Sequence, residues 1–98
     1  MCGIVALVGS REAAPQLLEG LRQLEYRGYD SAGIATVAAQ GQLTCLRAKG
    51  KLRNLTACVD TEGAPGQCGI GHTRWATHGK PEERNAHPHR SSDGAVAV

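Results

Sequence analysis

A run of five aliphatic residues near the N-terminus places the strongest constraint on the fold of this chain. Ile4 to Val8 contains no polar residue and is closed by Gly9 and Ser10. Such a continuous, partly β-branched run predicts a strand that is covered on both faces.

The next pattern predicts an amphipathic helix from about Ala13 to Tyr26, because its apolar residues recur at three- and four-residue spacing. Pro15 fits in the first turn, where its missing N–H is harmless. Gly28 predicts the end of the helix. The apolar stripe consists of Ala14, Leu17, Leu18, Leu21 and Leu24.

Shorter patterns predict the remaining elements, which are strands over 33–39, 42–48 and 68–73, a short helix over 52–59 and a strand starting at 94. The dipeptide Gln40-Gly41 predicts a tight hairpin between the first two of these strands. From Trp75 to Asp93 the sequence has turn chemistry and little apolar periodicity. Because the chain stops inside its last apolar run at Val98, we expect either that it is part of a longer protein or that a strand partner is missing.

Composition indicates one small globular domain with an aliphatic core. The chain has 98 residues, of which 41% are hydrophobic and 20% charged, and it contains no Phe, one Trp and two Tyr. The net charge of +2 does not indicate a nucleic-acid or membrane partner. No apolar run approaches the ~20 residues that span a bilayer, and no signal peptide is evident. We therefore expect a cytoplasmic protein with reduced cysteines.

Cys2 is a candidate nucleophile because it directly follows the initiator methionine. Removal of Met1 would leave a thiol and a free α-amine on the same residue, an arrangement used for acyl transfer. The amine can serve as general base, directly or through one water. Position alone does not establish this role, and an incidental cysteine is the alternative.

The three aromatic residues lie in polar, glycine-flanked segments, where binding groups commonly occur. Tyr26 and Tyr29 belong to one such segment and Trp75 to another. Beside Trp75, the guanidinium of Arg74 and the hydroxyl of Thr77 are suited to a carboxylate. The alternative for the aromatic residues is that they fill space between packed layers. The alternative for Arg74 and Thr77 is that they are ordinary exposed surface residues. Arg27 and Asp30 have either a functional role or a local salt bridge.

Two further clusters, one of histidines and one of basic residues, are not predicted to be functional sites. Four histidines, at 72, 78, 87 and 89, suggest a metal site, but their spacing lacks a Cys-x-x-Cys or His-x-x-x-His pattern. The basic stretch from Arg47 to Arg53 has no interleaved aromatic for base stacking, so a solvated edge is favoured over nucleic-acid contact.

Four segments together resemble the family of glutamine–fructose-6-phosphate aminotransferases. They are Met-Cys-Gly-Ile-Val at the start, Leu-Glu-Tyr-Arg-Gly-Tyr-Asp-Ser-Ala-Gly at 24–33, Gly-Ile-Gly-His-Thr-Arg-Trp-Ala-Thr-His-Gly at 69–79 and Asn-Ala-His-Pro-His at 85–89. The sister family of amidophosphoribosyltransferases shares the first motif and an Arg-Gly-x-Asp-Ser-Ala-Gly loop. It usually lacks the Arg-Trp-Ala-Thr-His segment, so the aminosugar family is preferred.

The resemblance implies an α+β fold of the N-terminal-nucleophile hydrolase type, an αββα sandwich of two antiparallel sheets. Residues 1–98 would form the N-terminal portion of its glutaminase domain, without the sugar-isomerase domain. Cys2 would attack the side-chain amide of glutamine, and the ammonia released would convert fructose 6-phosphate to glucosamine 6-phosphate. No metal or organic cofactor is implied, and a homo-oligomer is expected for the full-length parent.

The resemblance also implies roles for individual residues. Arg74 and Thr77 match positions that hold the glutamine carboxylate, and Trp75 and His78 match positions lining the same pocket. Arg27 matches an arginine that helps to set the surroundings of the nucleophile. The family's oxyanion-hole residues and the acidic residue that binds the glutamine amine follow Val98, so we expect the 98-residue chain alone to be inactive and poorly folded. A zinc-binding module using Cys68 and the histidines is the non-catalytic alternative.

Overall fold

The computed structural model describes residues 1–98 and contains four strands, two α-helices and two short 3-10 turns. The strands are β1 (Gly3–Val8), β2 (Ser31–Val37), β3 (Leu43–Lys49) and β4 (Cys68–Arg74). The helices are α1 (Ala13–Leu24) and α2 (Leu52–Glu62), and the 3-10 turns span Glu25–Arg27 and Glu83–Asn85. The predicted strands and helices therefore all exist, apart from the one that was expected to start at Gly94.

The four strands form a single antiparallel sheet in the order β1-β4-β2-β3. The last strand in the sequence is thus inserted between the first two. In the register, Gly3 lies opposite Thr73, and Ser31 lies opposite Arg74. This pairing brings the N-terminus, the start of β2 and the end of β4 to one edge of the sheet.

Both helices pack on one face of the sheet and enclose the aliphatic core. Leu17 and Leu21 of α1 are fully buried against β4, where glycines allow the close approach. A Cβ on Gly69 would lie 2.8 Å from Cδ1 of Leu17, and one on Gly71 would lie 3.0 Å from Cδ1 of Leu21. The core comprises Ala13, Ala14, Leu17, Leu21, Ala32, Ile34, Ala48, Leu52, Leu55 and Ala64.

The opposite face of the sheet is only partly covered, which corrects the prediction for the first strand. Ile4 is 71% exposed and Val8 is 84% exposed, while the alternate residues Val5 and Leu7 pack against the core. Side chains in a strand alternate between its faces, so β1 is covered on the helix side alone. A run without polar residues does not reveal this, because both of its faces are apolar.

The segment after β4 covers the middle of that second face. Ala86 and Pro88 are buried, and a Cβ on Gly33 would collide with the carbonyl of His87. The following residues form a short hairpin in which His89 and Val98 exchange both backbone hydrogen bonds. A single bridge, Arg90 to Ala97, is the only strand pairing there, so the strand expected from Gly94 is present only as this bridge.

The turn between β2 and β3 shows why the predicted boundaries shift. Ala38 donates to the carbonyl of Gln42, and Gly41 closes the turn by donating to the carbonyl of Ala38. Gly41 has φ of 89°, the left-handed conformation that a three-residue hairpin loop requires at this position. The turn therefore takes residues 38–42, and β2 lies two residues earlier than predicted.

Neither helix is long and apolar enough to cross a membrane.

Candidate active site

Cys2 lies immediately before β1, at the edge of the sheet where β4 ends. Its side chain is exposed, and its Sγ accepts a hydrogen bond from the backbone N–H of Trp75 at an N-to-S distance of 3.5 Å. The thiolate is the reactive form of cysteine, and a backbone N–H is a suitable hydrogen-bond partner for a sulfur atom. The structure therefore places the predicted nucleophile beside the predicted binding segment.

The peptide unit that carries this N–H is packed tightly against the loop before β2. A Cβ on Gly28 would lie 2.5 Å from the carbonyl carbon of Arg74, 2.6 Å from its oxygen and 2.7 Å from the nitrogen of Trp75. Only glycine fits in this space. Gly28 thus serves a close approach of two backbones as well as ending the helical segment.

Arg27 and Asp30, the pair left open by the sequence, do not form a salt bridge. The Nε of Arg27 donates to the hydroxyl of Tyr26 at 3.2 Å, and its guanidinium lies 5.6 Å from the centre of that ring. The carboxylate of Asp30 instead accepts the backbone N–H of Ala76 at 2.7 Å. Asp30 therefore contacts the segment that adjoins Cys2.

Arg74 uses its guanidinium to hold the loop that follows it. Its side chain is on the face opposite the helices, the residue is only 9% exposed, and Nη1 donates to the carbonyl of Lys80 at 3.0 Å. Nη2 donates to the carbonyl of His78 and, at 3.4 Å, to that of Gly79. The planar guanidinium, a candidate carboxylate ligand in the sequence analysis, thus donates to three backbone carbonyls.

The other predicted site residues lie on or next to this loop. Trp75 is 48% exposed, and Thr77 and His78 are also exposed. Tyr29, Asp30 and Trp75 line a cavity of about 180 Å³. A larger cavity of about 560 Å³ lies next to Cys68. Cys68 and Arg74 are the two ends of the seven-residue strand β4, which are about 20 Å apart. None of the predicted site residues lines this cavity.

Three of the four histidines cluster on the face of the sheet opposite the helices. The ring centres of His72 and His87 are 4.5 Å apart, and those of His87 and His89 are 4.2 Å apart. Burial lowers the pKa of His72 to about 4, and the neighbouring His87, His89 and Arg74 add to this effect. Burial and the charges of His89, Arg74 and Arg47 also lower the pKa of His87.

These shifts keep both rings neutral near pH 7, and Nδ1 of each is buried without a hydrogen-bond partner. No group of three or more His, Cys, Asp or Glu side chains is arranged to hold a metal ion. Burial also raises the pKa of the Cys45 thiol, whose Sγ lies 3.4 Å from the carbonyl oxygen of Pro88. The imidazoles of His72 and His87 and the thiol of Cys45 are therefore uncharged at neutral pH.

Sequence reasoning missed the contacts made by Gly28 and Asp30. Both residues belong to the glycine-flanked segment that also contains Tyr26 and Tyr29, which the sequence analysis had marked as a candidate binding segment. Their partners lie more than 40 positions away in the chain, at Arg74 and Ala76. Only the pairing of β2 with β4 makes those partners neighbours.

The chain is similar over its whole length to enzymes described as glutamine–fructose-6-phosphate aminotransferases (isomerizing), although no family model matches it. The relative from Thermosynechococcus vestitus is 62% identical over 98 residues, which cover 100% of this chain and 16% of the relative. Those from Brucella suis and Mycolicibacterium smegmatis are 58% and 53% identical, covering 98% and 100% of this chain. The chain spans about one sixth of the length of these relatives.

Solved structures share the fold at lower identity. Glutamine phosphoribosylpyrophosphate amidotransferase from B. subtilis, complexed with ADP and GMP, has a TM-score of 0.73 and 28% identity, and the match covers 95% of this chain and 20% of that one. A structure of the allosteric regulatory enzyme of purine biosynthesis has a TM-score of 0.76 and 29% identity, with the same coverage. The chain is thus similar along its whole length to about one sixth of the glutamine–fructose-6-phosphate aminotransferases and has the fold of the N-terminal-nucleophile amidotransferases.

Proposed function

We propose that residues 1–98 form the N-terminal portion of a glutaminase domain in which Cys2, exposed by removal of Met1, is the nucleophile. The observation that carries this proposal is the contact between Sγ of Cys2 and the N–H of Trp75. In this contact the exposed Cys2 has its Sγ beside a backbone donor at the end of β4, which supports the proposal. The similarity to aminotransferases that use glutamine supplies the substrate class.

The chemistry follows from the groups on Cys2. The α-amine takes the thiol proton, and Sγ attacks the side-chain amide carbon of glutamine to give a tetrahedral adduct. The C–N bond then breaks, and the nitrogen leaves as ammonia after receiving the proton held by the amine. Water hydrolyses the remaining γ-glutamyl thioester, which releases glutamate and restores the thiol.

Glutamine would be held by the loop after β4. The proposed contacts are Arg74 and Thr77 on the α-carboxylate, with Trp75 and His78 lining the pocket. Because Nη1 and Nη2 of Arg74 already donate to carbonyls of residues 78–80, carboxylate binding would exchange some of these bonds or use the remaining guanidinium donors. Arg27 would act at the edge of the site, where its guanidinium orients Tyr26.

The ammonia would pass to a sugar-isomerase domain outside these 98 residues and convert fructose 6-phosphate to glucosamine 6-phosphate for hexosamine synthesis. We further propose a cytoplasmic, homo-oligomeric protein without nucleic-acid or membrane partners. Transfer to phosphoribosyl pyrophosphate is the second candidate, because the solved structures with this fold include such an enzyme. Identity of 53–62% to the aminotransferases against 28–29% to the solved structures favours fructose 6-phosphate.

The nucleophile is tested in the natural protein with glutamine and hydroxylamine, which traps a γ-glutamyl thioester as the hydroxamate. Cys2→Ala should abolish both the hydroxamate and ammonia release. Cys68→Ala is the matched control, because this exposed cysteine lies at the far end of β4. Ammonia release at the normal rate from Cys2→Ala, or from protein that retains Met1, would contradict the proposal.

The acceptor is tested separately by offering the same protein fructose 6-phosphate or phosphoribosyl pyrophosphate together with glutamine. Formation of glucosamine 6-phosphate supports the first candidate. Formation of phosphoribosylamine with no aminosugar would replace it with the second.

A further inference from the structure

Asp30 makes three hydrogen bonds, two of which are to the segment next to Cys2. Its Oδ2 accepts the N–H of Ala76 at 2.7 Å, and its own N–H donates to the carbonyl of Arg74 at 3.1 Å. Its carbonyl accepts the N–H of Gly50 at 2.8 Å. Asp30 is thus hydrogen-bonded on one side to Gly50, just after β3, and on the other side to the residues at and after the end of β4.

The bond to Arg74 acts on the peptide unit that faces the thiol. The carbonyl of Arg74 and the N–H of Trp75 belong to one planar unit, in which the two groups point in opposite directions. Asp30 holds the carbonyl end, and Cys2 accepts from the N–H end. Fixing one end of a rigid plane therefore fixes the direction of the other.

The bond from the carboxylate acts on the following peptide unit, because the N–H of Ala76 is joined to the carbonyl of Trp75. At 2.7 Å this hydrogen bond lies at the short end of the ordinary N–H···O range. Neither of the two salt bridges in the structure involves Asp30. Its carboxylate is therefore committed to backbone and not to a cation.

We propose that Asp30 is a positioning residue that clamps the peptide units on both sides of Trp75 and so keeps the Trp75 N–H directed at Sγ of Cys2. A catalytic role for these Asp30 hydrogen bonds rests on the proposed function. Their effect on the reactivity of the Cys2 thiol does not depend on it. The tight steric fit of Gly28 against the same peptide also limits its movement. Asp30 supplies the hydrogen bonds that set its direction.

The four cysteines allow a test within one protein. Iodoacetamide is applied to the natural protein, and alkylation at each cysteine is followed by mass spectrometry of its peptides. Cys2 reports on the clamp, and Cys68 is the exposed internal reference. Cys45 and Cys58 are partly buried and report on loosening of the fold.

Asp30→Ala should lower alkylation of Cys2 relative to Cys68 by about three- to tenfold, the effect of losing one hydrogen bond to the reactive form. Alkylation of Cys45 and Cys58 should stay constant. Asp30→Asn should restore most of the Cys2 rate, because its amide oxygen still accepts the Ala76 N–H. Asp60→Ala, at an exposed aspartate of α2, should behave as wild type.

An unchanged Cys2 rate in Asp30→Ala would overturn the proposal, as would an Asp30→Asn protein that is as slow as Asp30→Ala. Faster alkylation of Cys45 and Cys58 in Asp30→Ala would assign Asp30 to general stability instead and also overturn it. Glutaminase assays separate the two hypotheses, since the kcat of Asp30→Ala should fall by about tenfold or more. A wild-type protein that releases no ammonia defeats the proposed function but leaves the alkylation result to decide the clamp.

Discussion

The backbone N–H of Trp75 donates to Sγ of Cys2 across 3.5 Å, although the two residues are 73 positions apart in the chain. Antiparallel pairing of β1 with β4 produces this contact, because Gly3 lies opposite Thr73 and the chain continues outward from both. The thiol is thus tied to a single peptide unit at the end of β4. Changes that displace this unit should act on Cys2 directly.

Gly28→Ala should displace that unit. The added Cβ would lie 2.5–2.7 Å from three of its atoms, all of them backbone atoms that cannot rotate away. We expect glutamine hydrolysis to fall by at least about tenfold and the free energy of unfolding by about 1–3 kcal/mol. Steady-state kinetics and urea denaturation of the natural protein measure the two effects.

Gly9→Ala is the matched control for that variant, because its added Cβ would come no closer than 3.9 Å to Cδ1 of Leu7. It should change neither the rate nor the stability appreciably. Equal activities of the two variants would show that the Arg74–Trp75 peptide does not need its observed position.

Arg74→Lys should loosen the loop over residues 78–80. Lysine keeps the charge but lacks the planar fork that donates to the carbonyls of His78, Gly79 and Lys80. Backbone amides of the loop should exchange hydrogen faster, and the KM for glutamine should rise by about tenfold or more. Arg84→Lys, in an exposed ion pair with Glu82, should leave both quantities unchanged, and normal loop exchange in Arg74→Lys would contradict the assignment.

Leu21→Ala should destabilise the protein by about 2–5 kcal/mol, because this side chain is fully buried and a cavity would remain against Gly71. Leu18 is only partly buried on the same helix, so Leu18→Ala should cost clearly less. Urea denaturation of both variants compares the two sites. A larger loss for Leu18→Ala would mean that α1 is rotated about its axis from the observed orientation.

Stability should fall as the pH drops from 6.5 towards 4. The pKa of His72 is lowered from 6.5 to about 4 in the folded protein, so over this window the unfolded chain binds a proton that the folded one does not. The lowered pKa of His87 acts in the same direction. For His72 the loss should be complete below about pH 4.

The pH effect is checked by urea denaturation between pH 4 and 7 for wild type and His72→Gln, whose slope should be smaller. Glu19→Gln is the control, because the pKa of Glu19 is lowered from 4.5 to about 2 by its hydrogen bonds to Arg22 and Gln23. Its contribution is present above pH 4.5 and is lost only below it. A slope of His72→Gln equal to that of wild type would remove His72 from this explanation.

Local patterns were sufficient to predict most elements of secondary structure. The leucine stripe predicted α1 and its buried face, since Leu17 and Leu21 are fully buried. The helix ends at Leu24 and not at Tyr26 because the next three residues tighten into a 3-10 turn. Boundaries such as this one depend on where the chain must turn towards its next partner.

The open face of β1 is where local information was insufficient. Ile4 and Val8 are as apolar as Val5 and Leu7, so the sequence alone did not distinguish the covered side of the strand from the uncovered one. That difference arises from where α1 packs. The predicted cover on both faces was therefore wrong for these 98 residues.

What the sequence by itself determined are the chemical groups and their order along the chain: a thiol at residue 2, an arginine-tryptophan pair at 74–75 and a glycine-flanked aspartate at 30. Tertiary structure decided which of them meet. Insertion of β4 between β1 and β2 brings together the ends of three strands that are distant in sequence. Local propensity acts over a few residues, whereas strand pairing depends on packing of the whole sheet. The carboxylate of Asp30 therefore accepts a hydrogen bond from the distant Ala76 and forms no salt bridge with the nearby Arg27.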